Sequence, residues 1–183
     1  MAKESKVIFD RNVIDFVTVA AEFCKLLEQA VSTERAQFVD TTLKVLPLLY
    51  VKALLLPPCE TMGDGMLEEN VTEEDYDYVR TTIERLLGND DVYLDVFLED
   101  MKYSDTPIAK HISEDLADIY QDIRNFIFVF KQGLNLNMHD ALSLCQENFR
   151  LYWGQKLVNT LRALHEVKFS THDDLDDDDK YYD

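Results

Sequence analysis

Residues 112–131 read ISEDLADIYQDIRNFIFVFK. Ile112, Leu116, Ile119, Ile123, Phe126 and Phe130 recur at spacings of 4, 3, 4, 3 and 4. That rhythm keeps every apolar side chain on one face of an α-helix, whereas a strand would alternate with period two. Gly133 stops the pattern, as a glycine at a helix C-terminus does. The same period runs through most of the chain. Val13, Val17, Ala20, Cys24, Leu27 and Val31 form a first seam, widened by Phe16 and Phe23. Ser32 is placed to cap a second helix along Val39, Leu43, Leu46, Tyr50 and Ala53, with a kink or break expected at Pro47, which lacks a backbone donor.

Pro57 to Val71 is aperiodic, holds Pro57, Pro58, Gly63 and Gly65, and reads as a long loop. Thr72 and Asp75 resemble a capping box opening a third helix along Tyr76, Val79, Ile83 and Leu86, with Gly88 as its C-terminal cap. A short fourth helix is expected from about Asp91 to Met101, then a turn at Ser104–Pro107. After the fifth helix, along residues 112–131, Asn137 can cap a sixth running to about Val167 and apolar on more than one face. The expected fold class is all-α: a single bundle of five or six mostly antiparallel helices over residues 1–171, with a central C-terminal helix. Residues 172–183 hold seven Asp and one Lys and read as a disordered acidic tail.

The chain has 183 residues, 36 acidic and 18 basic, for a formal charge of −18. Direct binding to nucleic acid is excluded on charge, because that affinity comes from Lys and Arg on phosphates; docking on anionic lipid is disfavoured for the same reason. No segment approaches the ~20 apolar residues that span a bilayer. The three apolar residues Val7 to Phe9 are too few for a signal peptide, so a cytoplasmic location is expected. Cys24, Cys59 and Cys145 form no CxxC pair and read as small hydrophobes.

Segments Leu48-Leu49-Tyr50-Val51-Lys52-Ala53, Ser113-Glu114-Asp115-Leu116-Ala117-Asp118-Ile119-Tyr120-Gln121-Asp122 and Tyr152-Trp153-Gly154-Gln155-Lys156-Leu157-Val158-Asn159 resemble an uncharacterised bacterial family, domain of unknown function 5063. The resemblance runs from the first helix to about His165 and excludes the acidic tail. It implies an all-helical bacterial protein and transfers no functional residue.

Two features break local rules. Glu114, Asp115, Asp118 and Asp122 crowd the fifth helix, and positions 115, 118, 122 and Asn125 make a stripe beside its buried seam. Clustered carboxylates repel unless a cation sits between them, and Asp is a poor mid-helix residue. One reading is a Mg²⁺ or Mn²⁺ site on Asp115, Asp118 and Asp122 in a phosphohydrolase, which would need a second acidic helix; only Asp91, Asp95 and Glu99 offer one. The competing reading is a solvated flank, since a fifth of all residues are acidic and such stripes arise easily. The second feature is Tyr152-Trp153-Gly154-Gln155, where a mid-helix glycine costs about 1 kcal/mol and implies close approach of a helix or a ligand. His111, His139, His165 and His172 are isolated, and neither a GxSxG elbow nor a phosphate loop is present.

These features place a candidate binding site where the fifth and sixth helices meet, lined by Asp115, Asp118, Asp122, Trp153 and Gln155, with no catalytic residue assigned and no cofactor, or Mg or Mn under the phosphohydrolase reading. The expected function is a non-enzymatic interaction or adaptor module whose protein partner carries a basic surface. An acidic mimic of DNA is a further alternative.

Overall fold

A computed structural model describes residues 4–95 and 106–170 of the chain. The first long helix, α1 (Arg11–Glu28), begins where the Asp10 carboxylate accepts the Asn12 N–H at 2.8 Å, and it buries Val13, Phe16, Ala20, Phe23, Cys24 and Leu27. A 3-10 turn at Ala30–Ser32 takes the place expected for a Ser32 cap, and α2 spans Arg35–Leu54. It runs unbroken through Pro47. Leu46 and Leu49 flank the proline and are fully buried, and at about 1.5–3 kcal/mol each their burial offsets the ~3 kcal/mol of an interior proline.

The expected capping box opens α3 (Glu73–Leu87): Thr72 Oγ1 accepts the Asp75 N–H and Asp75 accepts the Thr72 N–H, both at 3.1 Å. Gly88, at φ +59°, closes the helix. The fourth helix is where expectation and structure part. Val92–Asp95 is instead a strand, β1, paired antiparallel with β2 (Ile108–His111), Val92 opposite His111 and Asp95 opposite Ile108. Its half-buried and buried positions are Tyr93 and Asp95, while Val92 and Leu94 are exposed. This inverts the usual apolar-in pattern of a strand and hides the period of two. The rest of the expected fourth helix, including Val96, Phe97 and Glu99, lies outside the described residues, as does the acidic tail.

The decisive stretch forms α4 (Ile112–Lys131), ended as expected before Gly133 at φ +72°. The Asp91 carboxylate accepts from the Ser113 N–H at 2.7 Å and from its hydroxyl at 2.8 Å, and so supports the α4 N-terminus. The sixth helix is one continuous path in three parts: α5 (Asn135–Asn148), a widened π turn (Phe149–Trp153) and α6 (Gly154–Phe169). Its cap is at Leu134 rather than Asn137.

Contacts between helices fix their directions. Lys52 near the end of α2 pairs with Asp15 near the start of α1, and Lys168 near the end of α6 with Asp40 near the start of α2. Val71 before α3 meets Asn125 while Asp91 after it meets Ser113, and Asn148 meets Asp122 while Lys156 meets Asp118 and Asp115. So α1 and α2, α2 and α6, α3 and α4, and α4 and α6 are antiparallel neighbours. The fold is all-α apart from the two short strands. The C-terminal helix does enter the core through Trp153, Leu157 and Leu164, but the position with helices on every side belongs to α4, which packs on α1, α3, α5 and α6. No helix among the described residues is long and apolar enough to cross a membrane.

Candidate functional site

The inner flank of α4 carries the aspartate row, in which Asp115 and Asp118 share Lys156 and Asp122 stands apart. Asp115 is almost completely buried, accepts the Tyr93 phenol of β1 and lies 3.4 Å from Lys156 Nζ of α6. One turn on, Asp118 accepts from Lys156 at 2.8 Å and from the Tyr76 hydroxyl of α3 at 2.8 Å. One turn further, Asp122 accepts from Asn148 Nδ2 at 3.1 Å. The cation that relieves the crowding is therefore the ammonium of Lys156. Burial pulls that ammonium down, and Asp118 and Asp115 more than reverse the pull, leaving it above its ordinary value. Burial pushes the Asp115 carboxyl up against the opposing effect of Tyr93 and Lys156. Asp122, with no cation in contact among the described residues, is pushed up to about 6, chiefly by burial and further by Asp118, with the Asn148 amide opposing.

Trp153 and Gln155 do not join this row. The Trp153 indole is buried, stacked on Phe16 at 6.5 Å and against Phe149 at 4.6 Å, and donates to the Cys145 carbonyl at 3.3 Å. Gln155 is exposed and donates to Asn159. The two helices do lie side by side at matching heights, but their rotation presents Lys156, three residues beyond Trp153, to the aspartates. Gly154 is explained by the π turn itself. Its N–H bonds the Phe149 carbonyl, and a Cβ there would stand 2.4 Å from that oxygen and 2.9 Å from the Phe149 ring. Neither a ligand nor a second helix is needed.

Among the described residues, no group of three or more His, Cys, Asp or Glu is placed to hold a metal ion. Of the row, Asp122 alone lines a cleft of about 220 Å³ between α4, α5 and the long loop; Asp115 and Asp118 do not reach it. Asp122, Asn125 and Asn148 form its polar side, Phe126, Val129 and Leu144 its apolar side, and Glu68 and Glu69 stand on the loop above. The loop is anchored at three places. Gln146 accepts the Cys59 N–H at 3.2 Å and donates to the Pro57 carbonyl at 2.7 Å. Asp140 accepts the N–H groups of Met62, Gly63 and Gly65. Asn125, the last position of the stripe, accepts those of Asn70 and Val71 at 2.8 and 2.9 Å. Burial works to raise the Asp140 carboxyl, yet the amides of Gly63, Met62 and Gly65 outweigh it and hold it below its ordinary value.

Sequence reasoning missed Lys156, Tyr76, Tyr93, Asn148 and the loop acids. A lone lysine within the apolar run of the last helix was the one available signal for Lys156. It also missed a pairing of Cys59 Sγ with His139 Nδ1, 3.5 Å apart; Nε2 of that buried imidazole has no partner among the described residues. Burial, aided by Asp140 and Glu60, pushes the Cys59 thiol up, which is opposite to the activation of a nucleophile.

The model of the family described as domain of unknown function 5063 matches residues 7–170. A crystal structure of protein BF1032 from Bacteroides fragilis is 60% identical, covers 90% of this chain and 96% of that chain, and superposes with a TM-score of 0.81. No curated protein matches the chain.

Proposed function

The chain belongs to the family of domain of unknown function 5063, and from its cleft and the loop above it we propose that it is a binding module for a protein partner with a basic surface. The observation that carries this is the composition of residues 60–77. Glu60, Asp64, Glu68, Glu69, Glu73, Glu74, Asp75 and Asp77 are all exposed, and the stretch holds no Lys or Arg. Met62 and Met66 are exposed among them, at 46% and 84%, and flexible thioethers suit a surface that adapts to a partner.

Below this rim the cleft has the two-part character of a receptor for a lysine or arginine side chain. Phe126, Val129 and Leu144 meet an aliphatic stem, and Glu68, Glu69 and Asp122 meet a cationic head. An arriving cation also favours the ionised form of Asp122, whose proton is held up to about pH 6. The concentrated negative field steers a basic partner toward the loop, an effect that salt screens.

The test is the affinity of lysine- and arginine-rich amphipathic peptides, read by fluorescence anisotropy, for the wild type and for a variant carrying Glu68→Gln, Glu69→Gln and Asp122→Asn. At ~0.5–1 kcal/mol for each of the three charges, the triple variant loses affinity by roughly ten- to a hundredfold. Equal affinity for both proteins would overturn the proposal.

A further inference from the structure

A cavity of about 430 Å³ opens where α2 ends, the long loop begins and the π turn joins α5 to α6. Ala53, Leu54 and Leu56 form one apolar wall and the Phe149 ring another. That ring stands edge-on to Tyr50 at 5.2 Å and tilted against Trp153 at 4.6 Å, which fixes it. Cys59 also lines the cavity, and the bonds of Gln146 to the Cys59 N–H and the Pro57 carbonyl hold it in place. Two exposed charges of opposite sign complete the lining, Glu60 from the loop and Arg150 from the π turn. They do not pair with each other, and the Glu60 carboxylate has no partner among the described residues. Of the seven Lys and Arg on α2, the π turn and α6, five hold carboxylates and Arg162 holds the Leu94 carbonyl. Arg150 alone is left without a partner among the described residues. It sits in a π turn, an uncommon element that is frequent at functional sites. Side chains step by ~100° per residue in an α-helix, so the extra residue turns Phe149 and Arg150 by about that much relative to α6.

We propose that this cavity binds a free α-amino acid with an apolar side chain. Arg150 donates paired N–H groups to the carboxylate, Glu60 accepts from the ammonium, and the apolar walls cover the side chain. Charge selects this occupant. An anion would meet Arg150 but also Glu60 and the field of a molecule of charge −18. A cation would meet Glu60 but stand against the guanidinium. A zwitterion matches both groups and, being neutral overall, is not repelled by the molecule as a whole. The size agrees, since sites for small molecules run from about 300 to 1,000 Å³ and this one lies near the lower end. The inference concerns a different cavity from the acidic cleft and does not rest on the function proposed above.

Cys59 reports occupancy, because its half-buried thiol lines the cavity while Cys24 and Cys145 are buried. The test is the rate of Cys59 alkylation by iodoacetamide in the full chain, followed by peptide mass spectrometry with and without L-phenylalanine or L-leucine. For a Kd of about 1 mM, ~10 mM amino acid slows the reaction about tenfold. Phenylpropionate, which lacks the ammonium, and phenylethylamine, which lacks the carboxylate, should protect far less. Arg150→Gln and Glu60→Gln, each compared with its own rate without ligand, should lose the protection by phenylalanine. Both positions are exposed, so the variants fold as the wild type does. An unchanged rate with both amino acids, equal protection by phenylpropionate or phenylethylamine, or full protection of either variant would each overturn the proposal.

Discussion

At Gly154 the helical path from α5 to α6 carries one extra residue per turn, and the Phe149 carbonyl occupies the space a Cβ would need. Gly154→Ala has no far end of a side chain to displace, only backbone and a packed ring. The expected loss is about 1–3 kcal/mol, read as a lower urea midpoint. Asp122 makes the opposite prediction. A carboxyl whose folded pKa is raised holds its proton more tightly folded than unfolded. Its favourable contribution is complete below about pH 4, the unfolded value, and is lost as pH rises through about 6. Asp122→Asn should therefore stabilise the protein at pH 8, by roughly 1–2 kcal/mol, and the advantage should vanish near pH 4. Denaturation curves of both proteins at the two pH values check this; a constant difference across the range would contradict it.

The long loop is held as one element. Its polar backbone is satisfied by side chains of α4 and α5 rather than by a ladder, and Asp140 alone accepts three of its N–H groups. Asp140→Ala should release residues 60–66 while leaving the helices in place: amide exchange there accelerates at least tenfold, and that of α1 is unchanged. Acid should do the same to the wild type, because a carboxyl held below its ordinary value loses its stabilising share as pH falls through its folded pKa. Legibility in the sequence also divides by element. The helix along residues 112–131 could be read because its seam is purely apolar and its stop is a glycine. The strand at Val92–Asp95 could not, because a phenol and a carboxylate take its inward positions to serve Asp115 and Lys110. The aspartate stripe was visible in the sequence, and so was its flanking Asn125. Its partners were not: Lys156 lies 34 residues beyond Asp122, and only the rotation of α6 decides whether it or Trp153 meets the row.

At the scale of the whole molecule, the described stretch with the densest negative charge is the long loop with the start of α3, while on α2 and α6 basic residues outnumber acids. The acidic loop and cleft lie against α4 and α5. Such a molecule orients a charged partner before contact, so association of a basic peptide should slow with added salt while its dissociation changes little. Stopped-flow anisotropy at several salt concentrations separates the two rates. The cleft itself is tested most directly by two-dimensional ¹⁵N NMR of the full chain titrated with a lysine-containing amphipathic peptide. The largest amide shifts are expected at residues 64–70 and at Asp122, Asn125 and Asn148. Largest shifts on α2 and α6, with the loop unmoved, would contradict binding in the cleft.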